Sequence, residues 1–261
     1  MSILQKIADE TYKRVKSEKQ NISASQIQRQ AEQMPVGDFS FEKALGKNGI
    51  SFICECKKAS PSKGLIDPEY NYIDIAEQYY AAGADCISVL TEPVWFKGQA
   101  EHLRQISAHV KIPCLRKDFT IDEYMIYQAK TLGAAAVLLI CSLLDTDSLK
   151  KYIDICDKLG LSALAEAHNA QEIKSALNAG ARVIGVNNRN LGDFSVDKSN
   201  SLRLRQLVPP NVLFVAESGI KTPQDIKSMQ DAGVDAVLIG ETLMRAKDKA
   251  EALKYLKSDI I

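Results

Sequence analysis

The sequence predicts an α/β protein, a (β/α)8 or TIM barrel with an N-terminal helical extension. Three observations favour this fold. Eight β-rich runs recur at intervals of roughly 20 to 35 residues, the length of one βα unit. A helical pattern follows each run, and five runs are preceded by a glycine of the kind that ends a helix in the left-handed conformation. Eight such units also match the usual barrel size of about 250 residues.

The predicted strands are taken in chain order from these apolar runs. They begin near Phe52, Cys86, Ile112, Ala135, Ser162, Val183, Leu213 and Ala236. Amphipathic segments such as DPEYNYIDIAEQYYAAG lie between them, and TPQDIKSMQDAG opens with a Thr-Pro pair typical of a helix start. A doubly wound open sheet is the alternative, but such sheets more often have fewer strands and a GxGxxG turn, which the sequence lacks.

We expect a single domain over residues 1–261. Residues 1–50 carry two helical patterns and form the extension packed on the barrel, and residues 51–261 form the barrel itself. No Gly/Ser-rich linker divides the chain. Because the sequence ends soon after the last predicted helix, we expect no fused second enzyme.

Composition and charge argue against several function classes. Thirty-three basic residues balance thirty-three acidic ones, so no net field attracts nucleic acid or an anionic membrane. The longest near-continuous apolar stretch, AAAVLLICSLL, is too short to span a bilayer. The N-terminus lacks the apolar segment of a secretory signal. We therefore expect a cytoplasmic protein that binds neither nucleic acid nor membrane; the oligomeric state is left open.

Two of the six cysteines, Cys54 and Cys56, alternate along the first strand. This spacing places both thiols on one face, as in a metal-binding pair. No CxxC motif and no histidine at ligand spacing accompanies them, and cysteine is a common buried residue. We therefore expect these thiols to be core residues and predict no metal site.

Charged residues collect on one face of the predicted strands. In a barrel, alternate residues point inward, and the active site lies at the C-terminal ends of the strands. That alternation gives an inward-facing set of three acidic and three basic residues: Glu55, Lys57, Lys117, Glu166, Arg189 and Glu217. Burying charges costs several kcal/mol each unless they are paired, so this face predicts a functional site more than an ion-pair plug. Asn187 also faces inward, whereas Lys58 and Arg116 face the helices.

Glycine-containing turns follow the last two strands, in AESGI and LIGETLM. In barrels, the loops after strands 7 and 8 often bind phosphate through backbone N–H groups. Ser60, Ser62 and Lys63 in the first loop offer hydroxyl and ammonium donors. Plain left-handed turns are the structural alternative.

Several apolar residues adjoin these polar ones: Trp95, Phe96, Phe119, Leu138 and Ile140. Each is compatible with an ordinary core, but two adjacent aromatic residues in a loop suggest a wall for a flat ligand. The sequence therefore predicts a phosphorylated substrate that carries another anionic group and an apolar or aromatic part.

Six segments, ECKKASPSKG, LRKDF, LAEAH, GVNNRNL, AESGI and LIGETLM, together resemble the indole-3-glycerol-phosphate synthase family, in the family's order and over nearly the whole chain. The resemblance implies a carboxy-lyase of tryptophan biosynthesis. Its substrate is 1-(2-carboxyphenylamino)-1-deoxyribulose 5-phosphate, and its products are indole-3-glycerol phosphate, carbon dioxide and water. It implies no cofactor and no metal.

The resemblance also implies catalytic roles. Lys117 is the general acid that protonates the ketone oxygen, and Glu166 stabilises or relays that proton and takes part in the later dehydration. Lys57 contacts the substrate carboxylate and can act as the acid in dehydration, and Glu55 beside it is the base or adjusts the pKa of the lysine. Glu217 orients the cluster, and Asn187 also belongs to the catalytic set.

Substrate binding is implied for a second set of residues. Asn187 and Arg189 hold the anthranilate portion, with an apolar wall from Phe96, Phe119 and Leu138. The residues implied around the phosphate are Ser60, Ser218, Gly219, Gly240 and Glu241. Glu241 departs from what a phosphate prefers, because a small or hydroxyl residue suits that position better.

The residues leave open the direction of the Lys117 pKa shift and two alternative functions. A lysine with an ordinary pKa near 10.4 is a poor acid at neutral pH. Burial and Lys57 would lower the pKa of Lys117, whereas the three glutamates would raise it. A Schiff-base aldolase, with Lys117 as nucleophile, and a non-catalytic phosphate-ligand binding protein are the alternative functions.

Overall fold

The computed structural model describes residues 2–190 and 192–259. Within them, eight parallel strands close into a barrel in which each strand pairs with the next in sequence and the last with the first. The strands are β1 Ser51–Cys56, β2 Cys86–Leu90, β3 Cys114–Lys117, β4 Ala136–Ile140, β5 Ser162–Ala167, β6 Val183–Asn187, β7 Leu213–Glu217 and β8 Ala236–Ile239. The predicted barrel is confirmed.

The largest displacement from prediction is at β3, expected near Ile112 and observed from Cys114. Pro113 precedes the strand, and its ring nitrogen has no hydrogen to donate to the ladder. Its carbonyl still accepts from the Ile87 N–H at 3.0 Å, so the pairing with β2 starts at the proline carbonyl.

Helices cover the outside of the barrel and precede its first strand. They are α1 Ile3–Asn21, α2 Ala24–Gln33, α3 Ser40–Leu45, α4 Tyr72–Ala81, α5 Ala100–His109, α6 Glu123–Thr131, α7 Thr146–Leu159, α8 Ala170–Asn178, α9 Ser199–Arg205, α10 Pro223–Asp231, α11 Glu241–Met244 and α12 Lys249–Leu256. The predicted Thr-Pro start of α10 carries a capping box between Thr222 and Asp225. No helix in the described part of the chain is long and apolar enough to cross a membrane. A short antiparallel hairpin, in which the two-residue strands Ala59–Ser60 and Gly64–Leu65 pair, follows β1.

Alternation along the strands separates two apolar layers, as the sequence predicted. Phe52, Cys54 and Cys56 pack in the layer between the sheet and the helices. Ile53 lies instead in the barrel interior, in a cluster to which every strand contributes and which includes Phe41 of α3. The lower barrel is therefore filled mainly with apolar side chains, and the charged residues of the interior lie at the upper end.

The first helix lies across the upper end of the barrel. The Arg14 guanidinium of α1 contacts the Asp118 carboxylate just after β3 at 2.8 Å, and Lys19 contacts Asp122 at 2.6 Å. Val15 shares a small apolar cluster with Met125 of α6. These contacts hold the second half of α1 against the segment after β3 and α6, and Ile3, Leu4 and Ile7 at its beginning lie at the barrel mouth.

Candidate active site

A cavity of about 690 Å³ opens at the C-terminal end of the barrel. Its lining includes all of the catalytic and substrate-binding residues that the family resemblance implied: Glu55, Lys57, Ser60, Phe96, Lys117, Phe119, Leu138, Glu166, Asn187, Arg189, Glu217, Ser218, Gly219, Gly240 and Glu241. Ser62, Lys63 and Ile140 also line it, whereas Trp95 lies outside the lining residues. The volume is that of an ordinary small-molecule site.

Three strand ends bring one ammonium against two carboxyl groups. Lys117 ends β3, Glu166 lies on β5, and Glu217 ends β7. The Lys117 Nζ is 3.2 Å from Glu166 Oε2 and 3.6 Å from Glu217 Oε2. Gly185 of β6 lies between the two acidic strands, and a Cβ there would clash with Glu217 Oε1. Glycine at this position thus leaves the space that the Glu217 side chain occupies.

The electrostatics of this cluster answer the question left open for Lys117. Burial favours the neutral amine, but the charges of Glu166, Glu217 and Glu55 outweigh burial and raise the pKa of Lys117 above its ordinary value. The lysine is therefore held as an ammonium in the free protein. The charges of the glutamates therefore affect the pKa of Lys117 more than its burial does.

The pKa values of the two carboxyl groups beside this ammonium are shifted in opposite directions. Burial favours the neutral acid at Glu166, but the charges of Lys117 and His168 overcome it and lower its pKa. Burial raises the pKa of Glu217 to about 8, and the neighbouring Glu166 carboxylate adds to the effect. Near neutral pH the cluster therefore holds an ionised Glu166 and a protonated Glu217, an arrangement typical of acid–base sites.

A second ion pair lies at the end of β1. Lys57 Nζ contacts Glu55 Oε1 at 2.5 Å, and the Glu55 side chain is almost fully buried. Burial opposes ionisation of Glu55, but Lys57 and Lys117 outweigh it and lower its pKa. A Cβ on Gly240 would clash with both Glu55 and Lys57. The site thus contains a second lysine–carboxylate pair that can exchange a proton.

Glu241 does not turn away from the cavity cations. Its carboxylate lies 3.3 Å from Arg245, 3.4 Å from Arg189 and 3.5 Å from Lys63. Burial opposes its ionisation, but these cations lower the pKa of Glu241, with Lys63 contributing most. The carboxylate therefore holds a group of cations together at the end of the cavity where the phosphate was predicted.

The turn after β7 has the backbone expected of a close ligand contact. Ser218 has φ of 68° and Gly219 has φ of 84°, both in the left-handed region. That conformation is uncommon for a residue other than glycine, so a serine held there is a local strain of the kind found at binding sites. Lys198 and Lys221 line the cavity beside this turn and add positive charge.

Arg116 points toward the helices, as its strand position predicted. Its guanidinium contacts Asp118 at 3.3 Å and donates to the Met125 carbonyl at 2.9 Å. The Asp118 carboxylate also accepts hydrogen bonds from the Arg14 guanidinium and, at 2.5 Å, from the Thr91 hydroxyl. Arg116 is thus a buried partner of Asp118, the residue next to Lys117, and Asp118 in turn joins α1 to the barrel through Arg14.

The sequence reasoning missed several lining residues, among them two groups that are mainly apolar. Ile3, Leu4 and Ile7 of α1 form part of the wall, and Phe194 with Val196 comes from the segment after β6. No local pattern shows that α1 lies across the mouth. An aromatic residue within a polar loop, the signal used for Trp95 and Phe96, was present at Phe194. Leu191, the last residue of the GVNNRNL segment, lies outside the described residues.

The described residues contain no cluster of three or more His, Cys, Asp or Glu side chains arranged to hold a metal ion. Cys54 and Cys56 are free thiols buried against the helices. Burial raises the pKa of Cys54 and of Cys56, which keeps both thiols protonated.

Comparison with known proteins decides the family. The family model for indole-3-glycerol phosphate synthase matches residues 4–256. The protein of that name from Ruminiclostridium cellulolyticum is 55% identical over 256 residues, covering 98% of both chains. This chain belongs to the indole-3-glycerol phosphate synthase family. The namesake from Endomicrobium trichonymphae is 52% identical, covering 98% of this chain and 99% of its own. The resemblance drawn from the six segments is confirmed.

Solved structures support the fold alone. A 3-hexulose-6-phosphate synthase superposes with a TM-score of 0.67 at 17% identity, covering 81% of this chain and 100% of its own. A protein titled KGPDC from Streptococcus mutans gives a TM-score of 0.61 at 13% identity, covering 82% of this chain and 98% of its own.

Proposed function

We propose that the cavity performs the reaction of this family on 1-(2-carboxyphenylamino)-1-deoxyribulose 5-phosphate, with the residue roles given below. The chain is then a carboxy-lyase of tryptophan biosynthesis that releases indole-3-glycerol phosphate, carbon dioxide and water. The observation that carries the assignment of roles is the position of the Lys117 ammonium, 3.2 Å from Glu166 and 3.6 Å from Glu217 at the C-terminal ends of the strands.

Ring closure uses the ammonium of Lys117. The ring carbon that bears the carboxylate attacks the ketone carbon, and the C=O electron pair moves to oxygen. The resulting alkoxide is a much stronger base than an amine, so it takes a proton from Lys117 even though the glutamates raise the pKa of that lysine. The raised pKa guarantees that the proton is present before the attack.

Decarboxylation follows without a further catalytic group. The bond between the ring and the carboxylate breaks, its electron pair restores the aromatic ring, and carbon dioxide leaves. Asn187 and Arg189 hold the anthranilate portion. The rings of Phe96 and Phe119, with centroids 6.0 Å apart, provide an apolar wall together with Leu138. An apolar wall beside the carboxylate favours its conversion to neutral carbon dioxide.

Dehydration uses the second ion pair. Lys57 protonates the departing hydroxyl group, and Glu55 takes a proton from the neighbouring methylene carbon as the double bond forms. The 2.5 Å contact between Lys57 and Glu55 then returns the proton from the acid to the amine. This pair is therefore left unchanged after each dehydration.

The substrate phosphate is bound by the loops that follow β1, β7 and β8. Ser60, Ser218, Gly219 and Gly240 approach it from three loops. Glu241 keeps Lys63 and Arg245 beside these loops, so the phosphate meets a preassembled pair of cations. The contact of Glu241 with Arg189 joins this pair to the residue that holds the anthranilate portion. The cost of this arrangement is one carboxylate beside the phosphate.

The aldolase alternative is disfavoured by the electrostatics of Lys117. A nucleophilic lysine needs a lowered pKa, so that the free amine is available near neutral pH. The glutamates raise the pKa of Lys117 instead. Borohydride reduction in the presence of a ketose phosphate should therefore leave Lys117 unmodified. A covalent adduct at this residue would favour the aldolase.

The direct test is to supply the carboxyphenylamino-deoxyribulose phosphate and follow indole fluorescence. We expect fluorescence to rise with equimolar release of carbon dioxide. Substrate turnover without an indole product, or no turnover, contradicts the proposal.

A cytoplasmic location is part of this proposal. The six cysteines are all buried and free. Unpaired cysteines are typical of a reducing compartment.

A further inference from the structure

The proposed reaction consumes one proton in each turnover. Ring closure places one proton on the ketone oxygen, dehydration adds a second to the leaving hydroxyl, and the methylene carbon gives back only one. Lys57 and Glu55 balance each other, because the acid loses a proton as its partner gains one. Lys117 is the group left without its proton, while the substrate still covers the cavity.

A histidine outside the cavity lining lies behind the carboxylate that contacts Lys117. His168 follows β5, and its Nε2 is 3.6 Å from Glu166 Oε1. The other oxygen, Glu166 Oε2, faces the Lys117 ammonium at 3.2 Å. The His168 Nε2 is buried and has no hydrogen-bond partner within residues 2–190 and 192–259. Glu166 therefore stands between an ammonium and an imidazole.

The imidazole is held in this orientation by the start of α8. His168 Nδ1 is 3.1 Å from Glu172 Oε2, and the His168 backbone N–H donates to the same oxygen at 2.8 Å. The Asn169 side chain donates to Glu172 Oε1 at 2.8 Å and accepts from the Glu172 N–H at 3.0 Å. Because Nδ1 faces a carboxylate, it carries a hydrogen, and Nε2 is directed at Glu166.

The groups around the ring favour its charged form. Glu166 on β5, Glu172 on α8 and Glu217 on β7 are the acidic groups that act on it. Burial lowers the pKa of His168, but the hydrogen bond to Glu172 and the charges of Glu166 and Glu172 outweigh burial and raise it. The nearby Cys141 thiol stays neutral, because burial raises its pKa to about 12. The site thus stores a proton next to Glu166.

We propose that His168 is a positioning residue that acts through Glu166 as the proton reserve for Lys117. This inference rests on the proposed function. In the relay, the Nε2–H bond of His168 breaks as a bond forms to Glu166, and Glu166 passes a proton to the neutral amine of Lys117. The sum is one proton moved from imidazolium to amine. When the product leaves, water entering the cavity returns a proton to His168 through Glu166.

The first test replaces His168 by glutamine, which keeps a hydrogen-bond donor but carries no exchangeable charge. We expect kcat to fall at least about tenfold with KM changed less than about twofold, and the alkaline limb of the kcat–pH profile to change. The matched control is His109→Gln, since His109 is an exposed histidine that also contacts a glutamate, Glu77, far from the cavity. A parental kcat and pH profile in His168→Gln would overturn the proposal, as would a change confined to KM.

A second variant separates proton storage from a merely structural role. Glu172→Gln removes the carboxylate that favours imidazolium, so the alkaline limb should move to lower pH while kcat at low pH is retained. A loss of kcat that is equal at every pH contradicts the relay. Thermal melts of each variant establish that the barrel is folded.

A readout independent of activity uses the imidazole resonances of the three histidines. His168→Gln identifies the His168 signal. In Glu166→Gln its titration should move to lower pH, because the facing negative charge is removed. An unmoved titration refutes the relay whatever the rates are. Absence of an indole product from the parent protein refutes the proposed function itself, whereas product formation with an unaffected His168→Gln variant refutes the relay alone.

Discussion

Replacing Lys117 by methionine is the most demanding test of the proposed chemistry. Methionine has a similar length and no charge, so it removes the ammonium without leaving a large void. The substitution leaves Glu166 and Glu217, formerly 3.2 Å and 3.6 Å from the ammonium, without that cation. Both carboxyl groups are almost fully buried.

The expected loss of rate follows from the two tasks of this ammonium. General acid catalysis contributes about 10²–10⁴-fold, and loss of one donor to an oxyanion costs about 10²–10³-fold. Since one group performs both tasks, the effects overlap, and we expect kcat to fall about 10⁴-fold. That fall corresponds to about 5 kcal/mol of barrier.

Stability should change with a defined sign. The folded pKa of Lys117 lies above its unfolded value, so its contribution is fully present below about pH 10 and is lost only as pH rises through the folded pKa. Without it, the folded pKa of Glu166 should rise above the unfolded value near 4.3. The variant should therefore match the parent most closely at acid pH and melt progressively earlier as pH rises toward 8.

Indole fluorescence with saturating substrate measures kcat, and circular dichroism melts at pH 5 and pH 8 measure the stability change. The matched control is Lys58→Met, because Lys58 is adjacent in sequence to Lys57 but does not line the cavity. It should retain nearly the parental rate. A Lys117→Met variant that is folded and keeps more than about 1% of the parental kcat would refute the acid role.

Three further predictions follow from single contacts. Glu217→Gln removes a carboxyl group whose pKa in the folded protein, about 8, lies above its unfolded value. In the parent, the protonated Glu217 therefore contributes stability that is complete below about pH 4 and declines as pH rises to 8. The melting temperature of this variant relative to the parent should therefore rise between pH 5 and pH 8, and a pH-independent difference would contradict the protonated state. Arg14→Met removes one of the two cations that contact the buried Asp118, while Arg116 remains. Urea unfolding should show a loss of about 2–3 kcal/mol in the free energy of unfolding, and KM should rise. Unchanged stability would show that the contact between Arg14 and Asp118 does not stabilise the fold. Glu241→Gln removes the carboxylate that holds Lys63 and Arg245 together, so inorganic phosphate should inhibit only at severalfold higher concentration, and stronger inhibition would mean that repulsion between the carboxylate and the phosphate outweighs its placing of the cations.

Much of the site follows from short-range patterns. Side chains alternate across a strand with a period of two, so Glu55, Glu166 and Glu217 had to share a face with Lys117 once the strands were recognised. The C-terminal position of these residues on their strands then put them at one end of the barrel. Arg116 fell on the opposite face for the same reason. Sequence alone therefore determined the barrel, its eight strands and the membership of the polar cluster.

Tertiary structure decided how those groups act. The pKa of Lys117 depends on its distance from carboxyl groups on two other strands, and no local pattern contains that distance. The same holds for Glu241, whose side-chain role the sequence left open and whose carboxylate lies among three cations from separate segments. The path of α1 across the mouth and the approach of His168 to Glu166 also arise from packing between elements. Charge–charge energies depend on separation and burial, which exist only once the barrel has closed.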